Sequence, residues 1–136
     1  MGRTRLLIID EHRAVRQALV SRLQQTGKLE VVGSTASSEE GLLQVEALRP
    51  NIVLLETKRS DGTGLETCRR IARSHPDTVV IVLTSYDDET ERQAAYMAGA
   101  TRYLLKDIDS TQLVCEILNS ESPAFQQGAQ KLTPPM

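Results

Sequence analysis

The sequence predicts an α/β fold of the doubly wound (βα)5 type, a three-layer sandwich with one parallel five-stranded sheet between two layers of helices. Five short apolar runs recur along the 136 residues, and each is followed by a segment with helical spacing. Several of these runs are apolar without alternation, which is typical of parallel strands buried on both faces. Because crossovers between parallel strands are right-handed, the helices should cover both faces of the sheet.

The predicted strands are rich in leucine and β-branched residues, and they span residues 6–9, 29–32, 52–55, 79–83 and 103–105. The helix after the first strand should end near Gly27, and its predicted inward face is Val15, Ala18, Leu19 and Leu23. The second helix opens with Ser37 and Glu40 at capping-box spacing. Its predicted buried residues are Leu42, Leu43 and Val45.

Three further helices are predicted, of which the fourth along the chain is mostly polar. The third carries Leu65, Cys68, Ile71 and Ala72, and the fourth spans about 88–97 with Ala94, Ala95 and Ala98 and ends at Gly99. The fifth runs over about 110–118 with Leu113, Val114, Ile117 and Leu118 facing inward. The pattern stops near residue 121, so we expect one domain over 1–121 and a linker or tail over 122–136.

Composition and charge exclude several classes of protein. The net charge is −2 and the pI about 5.7, which argues against a basic nucleic-acid surface in this chain. No apolar run reaches the roughly 18 residues that a membrane span needs, and no leader sequence opens the chain. The two cysteines give neither a disulfide framework nor a paired metal-ligand spacing. We therefore expect a cytoplasmic protein without a membrane partner.

Polar residues follow the predicted strands at the point where each ends. Asp10 and Glu11 follow the first strand, Glu56 the third, Thr84 the fourth and Lys106 the fifth. In doubly wound sheets the ligand site lies beyond the carboxyl ends of the strands. Clustered carboxylates repel one another unless a cation neutralises them, and an all-oxygen cluster suits Mg²⁺. This set of residues fits the chemistry of holding a phosphoryl group.

The chain resembles the receiver domain of response regulators in two-component signalling. The likeness covers about residues 3–120 and rests on the strings LLIIDEHRAV, IVLLE followed by SDGTGLE, VVIVLTSYDDE and GATRYLLKD. The spacings of 28 residues from Glu56 to Thr84 and 22 from Thr84 to Lys106 fit the branch whose receivers precede a helix-turn-helix output domain. The resemblance implies a flavodoxin-like fold with strand order 2-1-3-4-5.

The resemblance also implies a role for each residue of the strand-end cluster. It implies that Asp10 and Glu11 are the acidic pair that holds Mg²⁺, and that the carbonyl of Lys58 is a backbone contact to the metal. It places Glu56 at the phosphoacceptor position and makes Lys106 the lysine that contacts the phosphoryl oxygen. It also implies that Thr84 is the switch hydroxyl and Tyr103 the switch aromatic. Weak binding of Mg²⁺ is expected, and no other cofactor.

Two residues depart from the family pattern. Glu56 stands where these domains carry aspartate, and Ser60 where they usually carry proline; Glu11 for aspartate is a tolerated variation. Glutamate places its carboxylate about one methylene further out, and misplacement of that order can cost about 10²-fold in rate. The resemblance implies a sensor histidine kinase as partner, but we expect its phosphotransfer to Glu56 to fail.

The sequence therefore predicts a regulatory receiver, not an enzyme, that controls transcription through an output domain absent from this chain. Two mechanisms stay open: Glu56 acts as a partial phosphoryl mimic that pairs with Lys106, or the domain is constitutive and does not switch. A stand-alone receiver that acts as an interaction adaptor is the alternative function. DNA would be contacted only through the absent output domain.

We expect a homodimer through the face formed by the fourth helix, the fifth strand and the fifth helix. Its predicted polar contacts are Glu91, Arg92, Arg102, Asp107 and Glu116. Two rival functions fit less well. A phosphatase of the haloacid-dehalogenase type expects a second aspartate at position 12, which is histidine. A flavodoxin-like cofactor carrier needs a Ser/Thr/Gly phosphate loop after the first strand, where this chain is acidic.

Overall fold

The computed structural model describes residues 2–121. Its strands are β1 (Thr4–Ile9), β2 (Leu29–Thr35), β3 (Ile52–Leu55), β4 (Val79–Thr84) and β5 (Arg102–Leu105). Its helices are α1 (Arg13–Gln25), α2 (Ser38–Leu48), α3 (Gly64–Ser74), α4 (Glu89–Met97) and α5 (Ser110–Glu121). The predicted linker or tail, 122–136, lies outside the described residues.

The five strands form one parallel sheet in the order β2-β1-β3-β4-β5, which confirms the predicted fold and strand order. Successive residues of a strand point to opposite faces. Leu6 and Ile8 therefore belong to one apolar cluster, with residues of α1 and α5, while Leu7 and Ile9 belong to a second, with residues of α3 and α4. The central strands β3 and β4, and β1 from Leu6 onward, are buried on both faces, as their unbroken apolar runs predicted, whereas the edge strands β2 and β5 are only partly buried.

The inward face of α1 differs from the prediction. Leu19 and Leu23 are buried and Val20 packs against them, but Val15 is 36% exposed and Ala18 is also exposed. The side chain of Arg16 takes the position one turn earlier, where it is half-buried and donates to the Asp10 carbonyl oxygen at 2.7 Å. In the first turn of α1 the partly buried residue is therefore Arg16 and not Val15.

The prediction for α2 is right at Val45 and wrong at Leu43. Val45 is fully buried, whereas Leu43 is 61% exposed. The face that meets the sheet is set by Gly41, because a Cβ there would press on the Ile9 side chain. Leu43 is two residues from Gly41, about 200° around the helix, and so points outward. The predicted N-cap is confirmed: the Ser37 hydroxyl accepts a hydrogen bond from the Glu40 N–H at 3.0 Å.

The last three helices follow the predicted faces. Cys68 and Ile71 of α3, Ala95 of α4, and Leu113 and Ile117 of α5 are all buried. The N-cap of α4 is Asp88, whose carboxylate accepts from the Glu91 N–H at 3.2 Å. None of the helices within 2–121 is long and apolar enough to cross a membrane.

Candidate functional site

Three strand ends bring their first polar side chains into one buried ion cluster. The Lys106 Nζ lies 2.6 Å from Asp10 Oδ2 and 2.9 Å from Glu56 Oε1. The side chains of Asp10 and Glu56 are 3% and 1% exposed, and that of Lys106 is 12% exposed. We call Asp10, Glu56 and Lys106 the carboxylate pocket.

The backbone fixes where these side chains begin. The Asp10 N–H donates to the Thr35 carbonyl at 3.0 Å, and the Glu56 N–H donates to the Ile9 carbonyl at 3.1 Å. Both bonds extend the parallel ladder by one residue past the strands. The Lys106 N–H likewise donates to the Thr84 carbonyl at 2.8 Å. Each charged side chain therefore starts from a rigid position at the same edge of the sheet.

Every carboxylate oxygen of the pocket has a partner within the chain. Glu56 Oε2 accepts from the Lys58 N–H at 2.8 Å. Asp10 Oδ1 accepts from the His12 N–H at 2.9 Å and lies 3.1 Å from His12 Nδ1. The other two oxygens bind Lys106, so the pocket is satisfied without an added ligand.

The electrostatics of the pocket support ionised groups. Burial raises the pKa of Asp10, but hydrogen bonds from Lys106 and His12 and the Lys106 charge outweigh it, so the pKa is lowered from its ordinary value of 3.8. Burial lowers the pKa of Lys106, but the two carboxylates outweigh it, and the pKa is raised from 10.5. Lys106 and Asp10 are therefore charged at neutral pH.

Glu11, the second predicted acidic residue, lies apart from the pocket. Its two carboxylate oxygens accept from the Ser60 N–H at 3.2 and 3.1 Å, and its Oε1 also accepts from the Ser60 hydroxyl at 2.9 Å. Of the three predicted carboxylates, two thus contact Lys106, and the third, that of Glu11, binds Ser60 in the loop between β3 and α3. Sequence reasoning noted Ser60 as a departure but missed this contact.

The fit of these residues to Mg²⁺ follows from that arrangement. Their oxygens are donors of the right kind for a hard cation. As placed, they do not form a cation site, because Lys106 occupies the space between Asp10 and Glu56 while Ser60 holds Glu11. Across residues 2–121 no group of three or more His, Cys, Asp or Glu side chains is arranged to hold a metal ion.

Lys58 is the residue whose carbonyl was predicted to contact metal. Its N–H donates to Glu56, as described above, and its side chain contacts two residues that follow β4. The Lys58 Nζ lies 3.9 Å from Asp88 Oδ2 and 5.8 Å from the centre of the Tyr86 ring. Both side chains of this ion pair are about two-fifths exposed, at 42% and 43%, so the pair contributes little to stability.

The predicted switch residues Thr84 and Tyr103 both contact the backbone of Tyr86. Thr84 is fully buried, and its Oγ1 accepts from the Tyr86 N–H at 3.3 Å. The Tyr103 hydroxyl donates to the Tyr86 carbonyl at 2.8 Å, and the Arg92 guanidinium stacks 4.8 Å from the Tyr103 ring centre. Burial raises the pKa of Tyr103, as do the nearby carboxylates of Glu91 and Asp88. Tyr86 was missed because nothing in the sequence marks a backbone role.

Arg59 is a second residue that sequence reasoning missed. Its side chain is 3% exposed, and its guanidinium donates to the Ala36 carbonyl at 2.6 Å and to both carboxylate oxygens of Asp61 at 3.2 and 3.1 Å. Hydrogen bonds from Arg59 and Thr63 hold the pKa of the Asp61 carboxyl well below its usual range. Arg59 thus fastens the β3–α3 loop to the end of β2, next to the pocket.

Comparisons with known proteins agree on one family. A family model described as response regulator receiver domain matches residues 6–118. The chain is 36% identical to the DNA-binding transcriptional activator DevR/DosR of Mycobacterium tuberculosis over 109 residues, which is 80% of this chain and 50% of that protein. It is 36% identical to the response regulator GacA of Pseudomonas protegens over 110 residues, 81% of this chain and 52% of that protein.

The solved structures give the same fold. The crystal structure of a DNA-binding response regulator of the LuxR family from Staphylococcus aureus superimposes with a TM-score of 0.81 at 26% identity, and the match covers 88% of this chain and 99% of that one. The chain spans about half the length of the curated relatives it matches.

Proposed function

Since the chain belongs to the response regulator receiver domain family, we propose that it is a receiver whose pocket works without phosphorylation. The observation that carries the proposal is the 2.9 Å bond between Lys106 and Glu56. In this arrangement a carboxylate of the chain itself already occupies the lysine that would otherwise be available to a phosphoryl oxygen. The proposed role is regulatory, and no enzymatic activity is assigned to it.

The lack of phosphorylation rests on the length and the bonding of Glu56. The side chain is one methylene longer than aspartate, and both of its oxygens accept hydrogen bonds, one from Lys106 and one from the Lys58 N–H. An attacking oxygen would have to leave one of these partners and start from a displaced position. Glu56 is therefore a poor nucleophile towards a phosphodonor.

Intact-mass spectrometry after incubation with acetyl phosphate and Mg²⁺ tests this directly. The wild-type protein should show no added phosphate, and Glu56→Asp serves as the positive control. A stoichiometric, base-labile phosphate adduct on wild-type protein would overturn the proposal. The same assay with a sensor histidine kinase as donor tests whether such a kinase remains a partner.

Of the two mechanisms, the contacts favour a partial mimic. Lys106 binds Glu56 as it would bind a phosphoryl oxygen, but the Thr84 hydroxyl binds the Tyr86 N–H. A carboxylate carries one negative charge, against about 1.5 to 2 on a phosphoryl group. We infer that Glu56 reproduces the contact of a phosphoryl group with Lys106 but not a contact with the Thr84 hydroxyl. In a full-length protein, Glu56→Gln should lower regulatory output if the mimic biases the switch, and should leave it unchanged if the domain is constitutive.

Transcription control is proposed for the whole protein. Two of the relatives named above are a transcriptional activator and a response regulator, and each extends well beyond the matched receiver. We infer a receiver over residues 1–121 and a linker over 122–136 that leads to an output domain, which would contact DNA. The proposed setting is the cytoplasm, where such a domain would reach DNA.

The proposed dimer uses the face formed by α4, β5 and α5. Three of its predicted polar residues are paired within the chain, since Arg102 Nε lies 3.1 Å from Glu116 Oε1 and Arg92 is paired with Asp87 and Glu89. Glu91 and Asp107 are then the better candidates for contacts between subunits. Light scattering at high concentration should detect a dimer, and Glu91→Lys with Asp107→Lys should weaken it. Glu39→Lys on α2 is the control. A wild-type monomer at millimolar concentration would refute the dimer.

Mg²⁺ binding is proposed to be weak because the carboxylates of the site already have partners within the chain. A cation that enters the pocket has to displace Lys106 or recruit Glu11 from Ser60. NMR titration should show responses at Asp10 and Glu56 only at millimolar Mg²⁺ or above. If these residues do not respond up to tens of millimolar, Lys106 alone balances the pocket.

A further inference from the structure

We propose that Ser60 is a latch that holds Glu11 out of the carboxylate pocket and thereby suppresses binding of divalent cations there. The inference rests on the weak Mg²⁺ binding of the proposed function and assigns its cause to one residue. It gives Ser60 a positioning role: Ser60 acts on the pocket only through the Glu11 carboxylate.

Both hydrogen-bond donors of Ser60 are used on Glu11. The Ser60 N–H is shared between both oxygens of Glu11, at 3.2 and 3.1 Å, and the hydroxyl adds a third bond at 2.9 Å. Hydrogen bonds to an ionised acceptor are stronger than those between neutral groups. Two different donor groups of one residue thus grip a single carboxylate.

The latch sits on a fixed support. On one side of Ser60, the Lys58 N–H binds Glu56 at 2.8 Å. The adjacent Arg59 binds the Ala36 carbonyl at 2.6 Å and pairs with Asp61. The loop is therefore held at both β2 and β3, and Ser60 cannot follow Glu11 into the pocket without breaking these bonds.

The consequence for cations is one of charge and ligand count. The carboxylate pocket holds two carboxylates and one ammonium, a net charge of −1, and Glu11 would make it −2. Mg²⁺ is usually held by one or two carboxylates with water or phosphate, and Lys106 already lies between the two that are present. A cation that leaves Lys106 in place therefore has to recruit Glu11, and recruiting Glu11 breaks all three bonds to Ser60.

Two substitutions dissect the latch. Ser60→Pro removes both donors, because proline has no N–H, and Ser60→Ala removes the hydroxyl alone. In NMR titrations with Mg²⁺, we expect the affinity to rise about tenfold for Ser60→Pro and about threefold for Ser60→Ala, from the lost bonds to a charged acceptor. Ser85→Ala, at an exposed position after β4 on the same edge of the sheet, is the matched control and should not change the affinity.

Repeating the titrations with Glu11→Gln tests whether Glu11 is the residue that the Ser60 substitutions free to bind Mg²⁺. Glu11→Gln combined with Ser60→Pro, or with Ser60→Ala, should cancel the gain, because the amide brings no charge to the cation. A gain that survives Glu11→Gln would overturn the proposal, as would equal Mg²⁺ affinities in wild type and both Ser60 variants. If Ser60→Pro does not fold, as judged by circular dichroism, the comparison between wild type and Ser60→Ala decides the question.

The test is separable from that of the proposed function. Phosphate on wild-type Glu56 would refute the phosphorylation-independent receiver whatever Ser60 does. Unchanged Mg²⁺ affinity in the Ser60 variants would refute the latch and leave the behaviour of Glu56 untouched.

Discussion

Replacing Lys106 by methionine should be among the most destabilising single changes at the edge of the sheet. Methionine keeps most of the side-chain volume but removes the ammonium that binds both Asp10 and Glu56. These carboxylates are 3% and 1% exposed, so neither can regain much hydration without movement. Breaking a buried ion pair by removing one partner costs about 3–5 kcal/mol.

The expected value for Lys106→Met is about 3 kcal/mol, at the lower end of that range. The pocket lies at the end of the strands, where the carboxylates can relax towards solvent. For a domain of this size, 1 kcal/mol corresponds to about 4 °C in Tm, so we expect Tm to fall by about 12 °C at pH 7.

The pH dependence gives the loss a signature. In the wild type the pKa of Asp10 is lowered from 3.8, so its contribution to stability is present above that value and disappears as the pH falls through the folded-state pKa. The pKa of Lys106 is raised from 10.5, so its contribution is present below that value and disappears as the pH rises through the folded-state pKa. The difference in the free energy of unfolding between wild type and Lys106→Met should therefore be largest between about pH 5 and 10 and should decrease towards pH 3.

Urea unfolding at pH 7 and pH 3, followed by circular dichroism, measures both quantities. Lys58→Met is the matched control, because the ion pair of Lys58 with Asp88 is long, at 3.9 Å, and about two-fifths exposed. It should cost less than about 1 kcal/mol. A loss below about 1 kcal/mol for Lys106→Met at pH 7, or a loss equally large at pH 3, would refute the idea that Lys106 neutralises the pocket.

Three further predictions concern the core and the loops. Burial raises the pKa of the Cys68 thiol to about 11, while Cys115 is exposed, so a thiol reagent at pH 8 should label only Cys115 rapidly in the native protein. Gly64→Ala should cost about 2–3 kcal/mol in urea unfolding, since its Cβ would overlap a backbone carbonyl of the β3–α3 loop. Tyr103→Phe removes the 2.8 Å bond to the Tyr86 carbonyl and should cost about 1 kcal/mol in the same assay.

The fold could be predicted because its strongest signals are local. Unbroken apolar runs such as those of β3 and β4 have few meanings other than buried parallel strands, and both runs are buried throughout. The failures on α1 and α2 have a common cause. Apolar spacing does not tell which of two adjacent stripes meets the sheet, and here a long side chain, Arg16, and a close contact at Gly41 decide it.

The sequence could predict which residues lie near one another in the site, but not the hydrogen bonds and ion pairs that they form. Parallel strands bring their carboxyl ends to one edge, so Asp10, Glu56 and Lys106 were expected to lie together. Nothing in residue type or spacing shows which carboxylate Lys106 binds, or that Glu11 turns away. Those outcomes depend on backbone N–H groups of Ser60 and Lys58, and every residue except proline has such a donor.

The two departures at positions 56 and 60 act on the pocket in the same direction. Aspartate at position 56 would end about one bond length, roughly 1.5 Å, short of where Glu56 meets Lys106, so its carboxylate would reach Lys106 less closely. Proline at position 60 would leave Glu11 without its three bonds and add a carboxylate to the cluster. With Glu56 and Ser60 in place, the Glu56 carboxylate is paired with Lys106, and the Glu11 carboxylate accepts hydrogen bonds from the neutral donors of Ser60. Each change removes a reason for the pocket to bind an outside charge: the first adds one methylene, and the second supplies an N–H and a hydroxyl that proline lacks. Because every carboxylate oxygen of the pocket already has a partner within the chain, no cation is needed to satisfy them, which fits the proposed receiver whose state does not depend on phosphate.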